Sequence, residues 1–342
     1  MPDDLPQFTV EHTLIGEEEA RALIGPHKTR LGGRTMDPKA QVVAEFVKTV
    51  RVPGYFPPLP ELRQQLLTMT QIMDEPAPEL ARKEDIAVPG PAVEIPARVY
   101  ADRTDAALPV LAYFHGGGWV QGDLETHDGL CARLAKWSGA MVVAFDYRLA
   151  PEHPFPAAVE DCIAAYTWLR SNGAQLKADT SRVAVGGDSA GGNLSAVVCQ
   201  QAPRAGVPVP DFQVLIYPAT DLSADTPSHR ELVDAPVIPR DRIEWYLKQY
   251  VPEGTDLKNP RISPLHAADL SDQPPALIVS GGFDPLRDEA RLYADKLTAA
   301  GCDVVHHEYP GQIHAFVSLV KAIPQGMAAT HEIADYMRRQ FG

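Results

Sequence analysis

The sequence predicts an α/β protein in which a mostly parallel central sheet carries helices on both faces. Three observations support this fold class. From about residue 82 onwards, short apolar runs of strand length alternate with longer segments of helical periodicity. Most of these runs are continuously apolar, which is typical of parallel strands buried on both faces. Before residue 76 the apolar residues recur at helical spacing, and no strand pattern is found.

The first 75 residues are expected to form a separate helical cap segment. Its first amphipathic helix is predicted by apolar residues at i, i+3, i+4 and i+7, namely Val43, Phe46, Val47 and Val50. A second helix, which begins near Pro60, is predicted by Leu62, Leu66, Met69 and Met73. Within residues 1–35 the pattern indicates only a short helix over Glu17 to Leu23 and a break at Gly32-Gly33.

Residues 76–342 are expected to form the larger domain, which contains the sheet. Strands at 85–88 and 95–100 open it as an antiparallel pair at a sheet edge, where Pro96 is tolerated. Further strands are predicted over residues 110–114, 141–145, 182–186, 212–217, 276–280 and 304–309. Helices are predicted near residues 125–138, 159–169, 190–201, 286–300 and 329–337.

A long connection interrupts the alternation between the strands at 212–217 and 276–280. A connection of this length is usually functional. It contains a helical pattern over residues 243–251. We expect residues 220–255 to be a cap insertion that meets the N-terminal helices over the carboxyl edge of the sheet.

Composition excludes several classes of function. The 342 residues include 31 basic and 45 acidic side chains, for a net charge of −14, which disfavours partners such as nucleic acid or an anionic membrane. No apolar run approaches the length of a membrane-spanning helix, and the acidic N-terminal stretch lacks a signal-peptide pattern. The four cysteines are far apart in the sequence, which predicts reduced thiols and a cytoplasmic protein.

Four strand ends are followed by residues that could perform chemistry. The strand at 110–114 leads into His115-Gly-Gly-Gly-Trp119, and the strand at 182–186 leads to Ser189. Asp284 and His314 follow the last two strands. Ligands bind outside the carboxyl ends of strands in open α/β sheets, so we expect these residues to meet at one edge. The order Ser, Asp, His is that of the catalytic triad in the α/β-hydrolase fold.

Ser189 lies in Gly187-Asp-Ser-Ala-Gly191, which fits the G-x-S-x-G nucleophile elbow. In this turn a serine hydroxyl is exposed between a strand and a helix, and the glycines allow their close approach. The motif alone is weak, since a turn serine can be structural. Its combination with the His-Gly-Gly-Gly loop of the same sheet favours a catalytic nucleophile.

Asp284 is the preferred acid because it alone stands at the exit of its strand. Asp269 and Asp272 precede that strand, and Asp288 falls inside the next helix. The alternative for Asp284 is a helix N-cap.

His314 is the preferred base because it follows the last strand on a glycine-containing loop. His306 and His307 lie within that strand, and His115 is expected to organise its own loop. The alternative for His314 is an ordinary core or surface histidine.

Together these residues predict acyl transfer. His314 would take the proton of Ser189 and then protonate the leaving alcohol, while Asp284 would hold the imidazole. The backbone N–H groups of Gly117, Gly118 and Ala190 are the candidate oxyanion hole. No metal or cofactor is expected, because the sequence has no H-E-x-x-H motif, P-loop or dinucleotide fingerprint.

Five motifs resemble those of the hormone-sensitive-lipase family of esterases (bacterial family IV). They are His115–Trp119, Asp146–Pro156, Gly187–Gly191, Asp284–Glu289 and Gly311-x-x-His314-x-Phe316. The resemblance implies an α/β-hydrolase catalytic domain with a helical cap and carboxylesterase activity on short- to medium-chain acyl esters. It also implies the triad and oxyanion-hole roles above, and a homodimer.

Other functions remain open at this point. The chain could be a non-catalytic ligand-binding protein on the hydrolase scaffold, or a deacetylase, lactonase or amidase of a small metabolite. Long-chain lipase action is disfavoured because no strongly apolar lid helix is evident. Aromatic residues that could line the pocket, or be ordinary core, are Tyr217, Phe283, Trp245, Tyr246 and Phe316.

Overall fold

An eight-stranded sheet forms the centre of the protein. The structure is a computed structural model that describes residues 6–342; the first five residues, part of the acidic N-terminal stretch, lie outside the described residues. The strands of this sheet are β3 (Arg82–Pro89), β4 (Glu94–Ala101), β5 (Leu108–Phe114), β6 (Met141–Phe145), β7 (Ala178–Asp188), β8 (Gln213–Ile216), β9 (Ala276–Phe283) and β10 (Val304–Ile313). Their spatial order is β10-β9-β8-β7-β5-β6-β4-β3. Pairing is parallel from β10 to β6, whereas β4 runs antiparallel to both of its neighbours.

Helices precede the sheet, cover it and follow it. They are α1 (Val10–Thr13), α2 (Glu17–Ile24), α3 (Pro38–Val50), α4 (Leu59–Met73), α5 (Asp128–Ser138), α6 (Ala157–Asn172), α7 (Ala190–Gln201), α8 (Pro227–Glu231), α9 (Arg240–Tyr250), α10 (Arg287–Ala299) and α11 (Gln325–Phe341). Each strand and helix predicted from residue 82 onwards is present, with ends that differ by a few residues. The predicted fold class is therefore confirmed.

Alternation along the central strands divides the core into two layers. In β5, Leu111 and Tyr113 pack with α5, α11 and the N-terminal helix α3, whereas Val110 and Ala112 pack with α6 and α7. Successive side chains of a strand point to opposite faces, so a continuously apolar strand supplies both layers.

The strands β9 and β10 extend further than the sequence predicts, and this extension fixes the site. Gly281 still pairs with Tyr309, and Phe283 with Ile313, on either side of an irregularity that accommodates Pro310 and Gly311. The apolar pattern of each strand ends before Gly281 and Gly311, so it does not predict the last paired residues of β9 and β10. Asp284 and His314 consequently follow directly after the strand ends.

The prediction that the first 75 residues contain no strand is wrong. Arg30–Leu31 and Arg34–Thr35 form a two-stranded hairpin, β1 and β2. Its turn is Gly32-Gly33, which have φ of +52° and +81°. Strands of two residues are too short to show a period, so the sequence indicates only the break. An ion pair joins the hairpin to the sheet edge, with Arg34 Nε 2.5 Å from Glu308 Oε1.

The N-terminal helices contact the long connection between β8 and β9. Arg51 donates hydrogen bonds of 2.5 and 2.6 Å to the Asp241 carboxylate, which also accepts one from the Gly54 N–H. Phe56 stacks on Trp245 with 4.8 Å between the ring centroids. Among residues 6–342 no helix combines the length and apolar character required to cross a membrane.

Candidate active site

Ser189 stands at a strained turn between β7 and α7. Its φ is +54°, a left-handed value that costs energy for a residue with a Cβ. The neighbouring glycines permit this turn, because a Cβ on Gly187 would lie 2.2 Å from the Phe114 carbonyl oxygen and one on Gly191 would lie 1.8 Å from it. The turn thus packs tightly on the end of β5, as the elbow motif predicts.

Ser189, His314 and Asp284, the candidate triad, form one hydrogen-bonded chain. His314 Nε2 is 3.0 Å from Ser189 Oγ, and His314 Nδ1 is 2.7 Å from Asp284 Oδ2. Asp284 is completely buried and also accepts a hydrogen bond from the Leu286 N–H. This geometry leaves Nε2 able to receive the hydroxyl proton while the carboxylate fixes the ring.

The alternative acids and bases lie elsewhere. Asp269 and Asp272 are exposed. Asp288 accepts hydrogen bonds from the Ser228 N–H and the Arg287 guanidinium. Among the histidines, His306 contacts Ser280 and His307 contacts Glu332. Of the weighed alternatives, only Asp284 contacts His314.

The loop from His115 to Trp119, here called the oxyanion loop, directs unused backbone donors at the site. Within residues 6–342, the N–H groups of Gly117, Gly118 and Ala190 donate no hydrogen bond. Gly117 and Gly118 have φ of +119° and +63°. All three residues line the same cavity as Ser189. Free donors in this position could bind a developing oxyanion.

His115 lies away from the triad. Its ring stacks on Tyr147 with 4.4 Å between centroids, and its Nδ1 is 2.8 Å from the Gly116 carbonyl oxygen. These contacts fit the expected role of organising the loop.

A buried ion pair anchors the oxyanion loop to the elbow, and no sequence motif indicates it. Asp188 accepts hydrogen bonds from the Gly116 N–H at 2.9 Å and the Tyr113 hydroxyl at 2.7 Å. His127 Nε2 lies 3.1 Å from the same carboxylate. Burial raises the pKa of Asp188, but the charge and hydrogen bond of His127 and the Tyr113 hydroxyl outweigh burial and lower it to about 2. Burial lowers the pKa of His127, and the Asp188 charge more than compensates, so that this pKa is raised.

A second buried pair joins α8 to the chain that follows Asp284, and no sequence motif indicates this pair either. His229 Nε2 is 2.8 Å from Glu289 Oε2. The other oxygen of Glu289 accepts hydrogen bonds from the Thr220 and Asp221 N–H groups. Burial lowers the pKa of His229, but its hydrogen bond to Glu289 and the Glu289 charge raise it overall. In both pairs the two residues are about 60 positions apart in the sequence, so no motif spacing predicts their contact.

The candidate triad opens into a cavity of about 160 Å³. Apolar side chains from α4 and from the long connection line much of it, among them Leu66, Ile238, Ile243 and Leu247. Of the five aromatic residues considered for its wall, only Tyr246 lines it. Tyr217 packs on the His314 ring, Trp245 stacks on Phe56, and Phe283 and Phe316 are core. No group of metal-binding side chains is found in the described part of the chain.

A serine, a histidine and an aspartate linked in this way at the carboxyl edge of a parallel sheet are typical of serine hydrolases. Residues 111–318 match the family model described as the alpha/beta hydrolase fold. The chain therefore belongs to the alpha/beta-hydrolase family and, within it, to the hormone-sensitive-lipase group of carboxylesterases.

Individual relatives agree with this assignment. The carboxylic ester hydrolase LipN of Mycobacterium tuberculosis is 40% identical over 93% of this chain and 86% of its own length. The ethyl acetate hydrolase of Pseudomonas putida is 37% identical over 70% of this chain and 77% of its own. The structure of an ester hydrolase from the metagenome of Lake Arreo, in complex with a bipyridine phosphonate derivative, is 42% identical, with a TM-score of 0.86 over 90% of this chain and 99% of that one.

Proposed function

We propose that this carboxylesterase hydrolyses short- to medium-chain acyl esters through an acyl-enzyme intermediate on Ser189. The observation that carries the proposal is the position of His314, within hydrogen-bonding distance of both Ser189 and Asp284. A serine hydroxyl is a weak nucleophile until a neighbouring base accepts its proton.

The reaction has two halves that use the same groups. His314 takes the Ser189 proton as the oxygen attacks the ester carbonyl, and the imidazolium then protonates the leaving alcohol. The ester becomes an acyl-serine, which water hydrolyses with His314 again acting as the base. The N–H groups of Gly117, Gly118 and Ala190 stabilise the oxyanion in both halves.

The size of the cavity supports the limit on acyl length. Its volume of about 160 Å³ is below the roughly 300–1,000 Å³ of sites for drug-sized ligands. The name of the ethyl acetate hydrolase, a relative of this chain, points to short esters as well. A small-molecule ester is therefore the substrate.

The N-terminal segment to residue 75 and residues 220–255 form, in this proposal, a helical cap on the catalytic domain of residues 76–342. Both segments contribute side chains to the cavity that contains Ser189. From the first segment these are Leu66 and Thr70, and from the second they are Val237, Ile243 and Tyr246. The Arg51–Asp241 ion pair joins the two segments. The cap thus determines which ester reaches the serine.

A cytoplasmic location and a homodimer complete the proposal. All four cysteines are free, and Cys131, Cys162 and Cys199 are buried, as expected of a reducing compartment.

The homodimer rests on the family resemblance. Light scattering of the purified protein would test it, and a measured mass of 37.2 kDa, that of one chain, would exclude a dimer.

The test is the turnover of 4-nitrophenyl butyrate by Ser189→Ala. We expect a loss of at least roughly 10³-fold in kcat with unchanged circular dichroism. Ser271→Ala, at an exposed serine, is the matched control and should retain full activity. Equal activity of the two variants would exclude Ser189 as the nucleophile. No turnover by the wild-type chain would instead favour the non-catalytic binding protein.

A further inference from the structure

One cationic side chain lines the cavity above Ser189. Arg242, in the first turn of the insertion helix α9, is half-buried there. Among the described residues 6–342, it is the only lysine or arginine that lines this cavity. The other residues of the same helix face in this wall, Ile243, Tyr246 and Leu247, are apolar or aromatic.

The guanidinium of Arg242 has no acidic partner in the described chain, although acidic residues exceed basic ones by 14 in the whole protein (45 against 31). The described chain contains many arginine ion pairs, and α9 itself contributes Asp241 to one of them, with Arg51. Arg242 takes part in none. An arginine without an acidic partner in the wall of a ligand cavity is available to bind an anionic group of the ligand.

The acids that line the cavity each contact a histidine. Asp188 is paired with His127, Glu289 with His229, and Asp221 with His266 at 3.0 Å. In the described chain none of these three acids forms an ion pair with Arg242.

The position of Arg242 relates it to the reacting carbonyl. Tyr246 lies four residues later on α9, so the two side chains share one helix face. The Tyr246 ring packs on the oxyanion loop so closely that a Cβ on Gly118 would lie 2.5 Å from it. Burial raises the pKa of the Tyr246 hydroxyl, and the charge of Arg242 and its hydrogen bond to this hydroxyl oppose the rise. A substrate group that extends from the oxyanion loop along Tyr246 would thus approach Arg242.

We propose that Arg242 forms an anion subsite and that the preferred substrates are esters carrying a free carboxylate. This inference rests on the proposed ester hydrolysis and specifies its substrate class. The planar guanidinium can bind a carboxylate through two parallel hydrogen bonds. The carboxylate belongs to the acyl group or to the alcohol, and the substrates below distinguish the two.

Two substrate pairs differ mainly in charge. For the acyl side, mono(4-nitrophenyl) glutarate is compared with 4-nitrophenyl hexanoate. For the alcohol side, 4-acetoxybenzoate is compared with its methyl ester. The quantity measured is the ratio of kcat/KM for the charged ester to kcat/KM for the neutral one, at low salt.

We expect Arg242→Gln to lower this ratio about tenfold or more for one pair, chiefly through a higher KM for the charged ester. Arg242→Lys retains the charge but cannot form two parallel hydrogen bonds, so its ratio should lie between those of the wild type and Arg242→Gln. Arg339→Gln, at an exposed arginine of α11, removes the same charge outside the cavity and should leave the ratio unchanged.

The outcomes separate this inference from the proposed function. A response of the glutarate pair places the carboxylate on the acyl side, and a response of the benzoate pair places it on the alcohol side. If Arg242→Gln changes neither ratio, or Arg339→Gln changes one equally, the anion subsite is refuted although esterase activity stands. If the wild-type chain hydrolyses none of the four esters, the proposed function itself fails.

Discussion

The carboxylate of Asp37 occupies the space that a side chain on Gly311 would need. A Cβ on Gly311 would lie 2.5 Å from Asp37 Oδ1. The Asp37 N–H donates to the Gly311 carbonyl oxygen at 2.9 Å, and Gln312 donates to the Asp37 carboxylate at 2.5 Å. Since His314 is three residues after Gly311, the N-terminal segment is fixed to the chain that carries the candidate base.

The first prediction concerns this contact. Gly311→Ala should lower the free energy of unfolding by about 2 kcal/mol, because the added methyl group overpacks against Asp37. In an Asp37→Ala background, where the space is free, the same substitution should cost less than half as much. Urea unfolding of the four proteins in this cycle measures the coupling. Equal costs in both backgrounds would show that Asp37 does not constrain Gly311.

The second prediction separates the two candidate oxyanion glycines. Gly117→Ala and Gly118→Ala should each lower kcat by roughly 10²-fold or more, because the loop must move and its donors are displaced. The obstacle differs, however. A Cβ on Gly117 would lie 2.0 Å from the backbone oxygen of Gln121, whereas the atoms nearest to a Cβ on Gly118, at 2.5 to 2.7 Å, belong to the Tyr246 ring.

Tyr246→Ala should therefore restore part of the kcat lost in Gly118→Ala and none of that lost in Gly117→Ala. Steady-state kinetics with 4-nitrophenyl butyrate measure both double variants, and Tyr246→Ala alone is the reference. Rescue of both glycine variants, or of neither, would contradict this account of the loop.

The third prediction is a pH dependence of stability from the His127–Asp188 pair. Folding raises the pKa of His127 above its ordinary 6.5, so its contribution is complete below pH 6.5 and is lost as the pH rises through the raised value. Folding lowers the pKa of Asp188 from 3.8 to about 2, so its contribution is present above pH 3.8 and is lost as the pH falls towards 2. The pair therefore stabilises the fold most between pH 3.8 and pH 6.5.

His127→Gln should consequently lower the free energy of unfolding by about 3 kcal/mol at pH 5 and by less at pH 9. Urea unfolding at both values measures the difference. His153→Gln, at an exposed histidine, should be nearly neutral at either pH. A loss for His127→Gln that is independent of pH would rule out the charged pair.

The sequence predicts the sheet and the residues that follow its strands because both leave local signals. Continuous apolar runs mark β5 to β9, and the glycines around Ser189 mark the elbow. The position of Asp284 and His314 after a strand predicts that they lie at this edge, and the structure brings both to Ser189. The Asp188–His127 and His229–Glu289 pairs leave no such signal, since each joins residues about 60 positions apart. The β1–β2 hairpin is too short for any period, and Arg242 is distinguished only once the cavity is seen.

The fourth prediction concerns acyl length. Along the 4-nitrophenyl esters from acetate to palmitate, kcat/KM should peak at or below about ten carbons, because the cavity is small and is lined by side chains of α4 and α9. Leu247→Ala should shift the optimum to longer acyl chains, because the smaller side chain enlarges the cavity. Leu257→Ala, at an exposed leucine outside the cavity, should not. An optimum at palmitate would overturn the proposed substrate class.

Covalent labelling of Ser189 tests the central claim most directly. A 4-nitrophenyl alkylphosphonate would be attacked as an ester is, release 4-nitrophenol and remain bound to the serine oxygen. Intact-mass and peptide mass spectrometry should find one adduct per chain, on Ser189, with much slower formation in His314→Ala and none in Ser189→Ala. An adduct on another residue, or an unlabelled wild-type chain that still hydrolyses esters, would contradict the account.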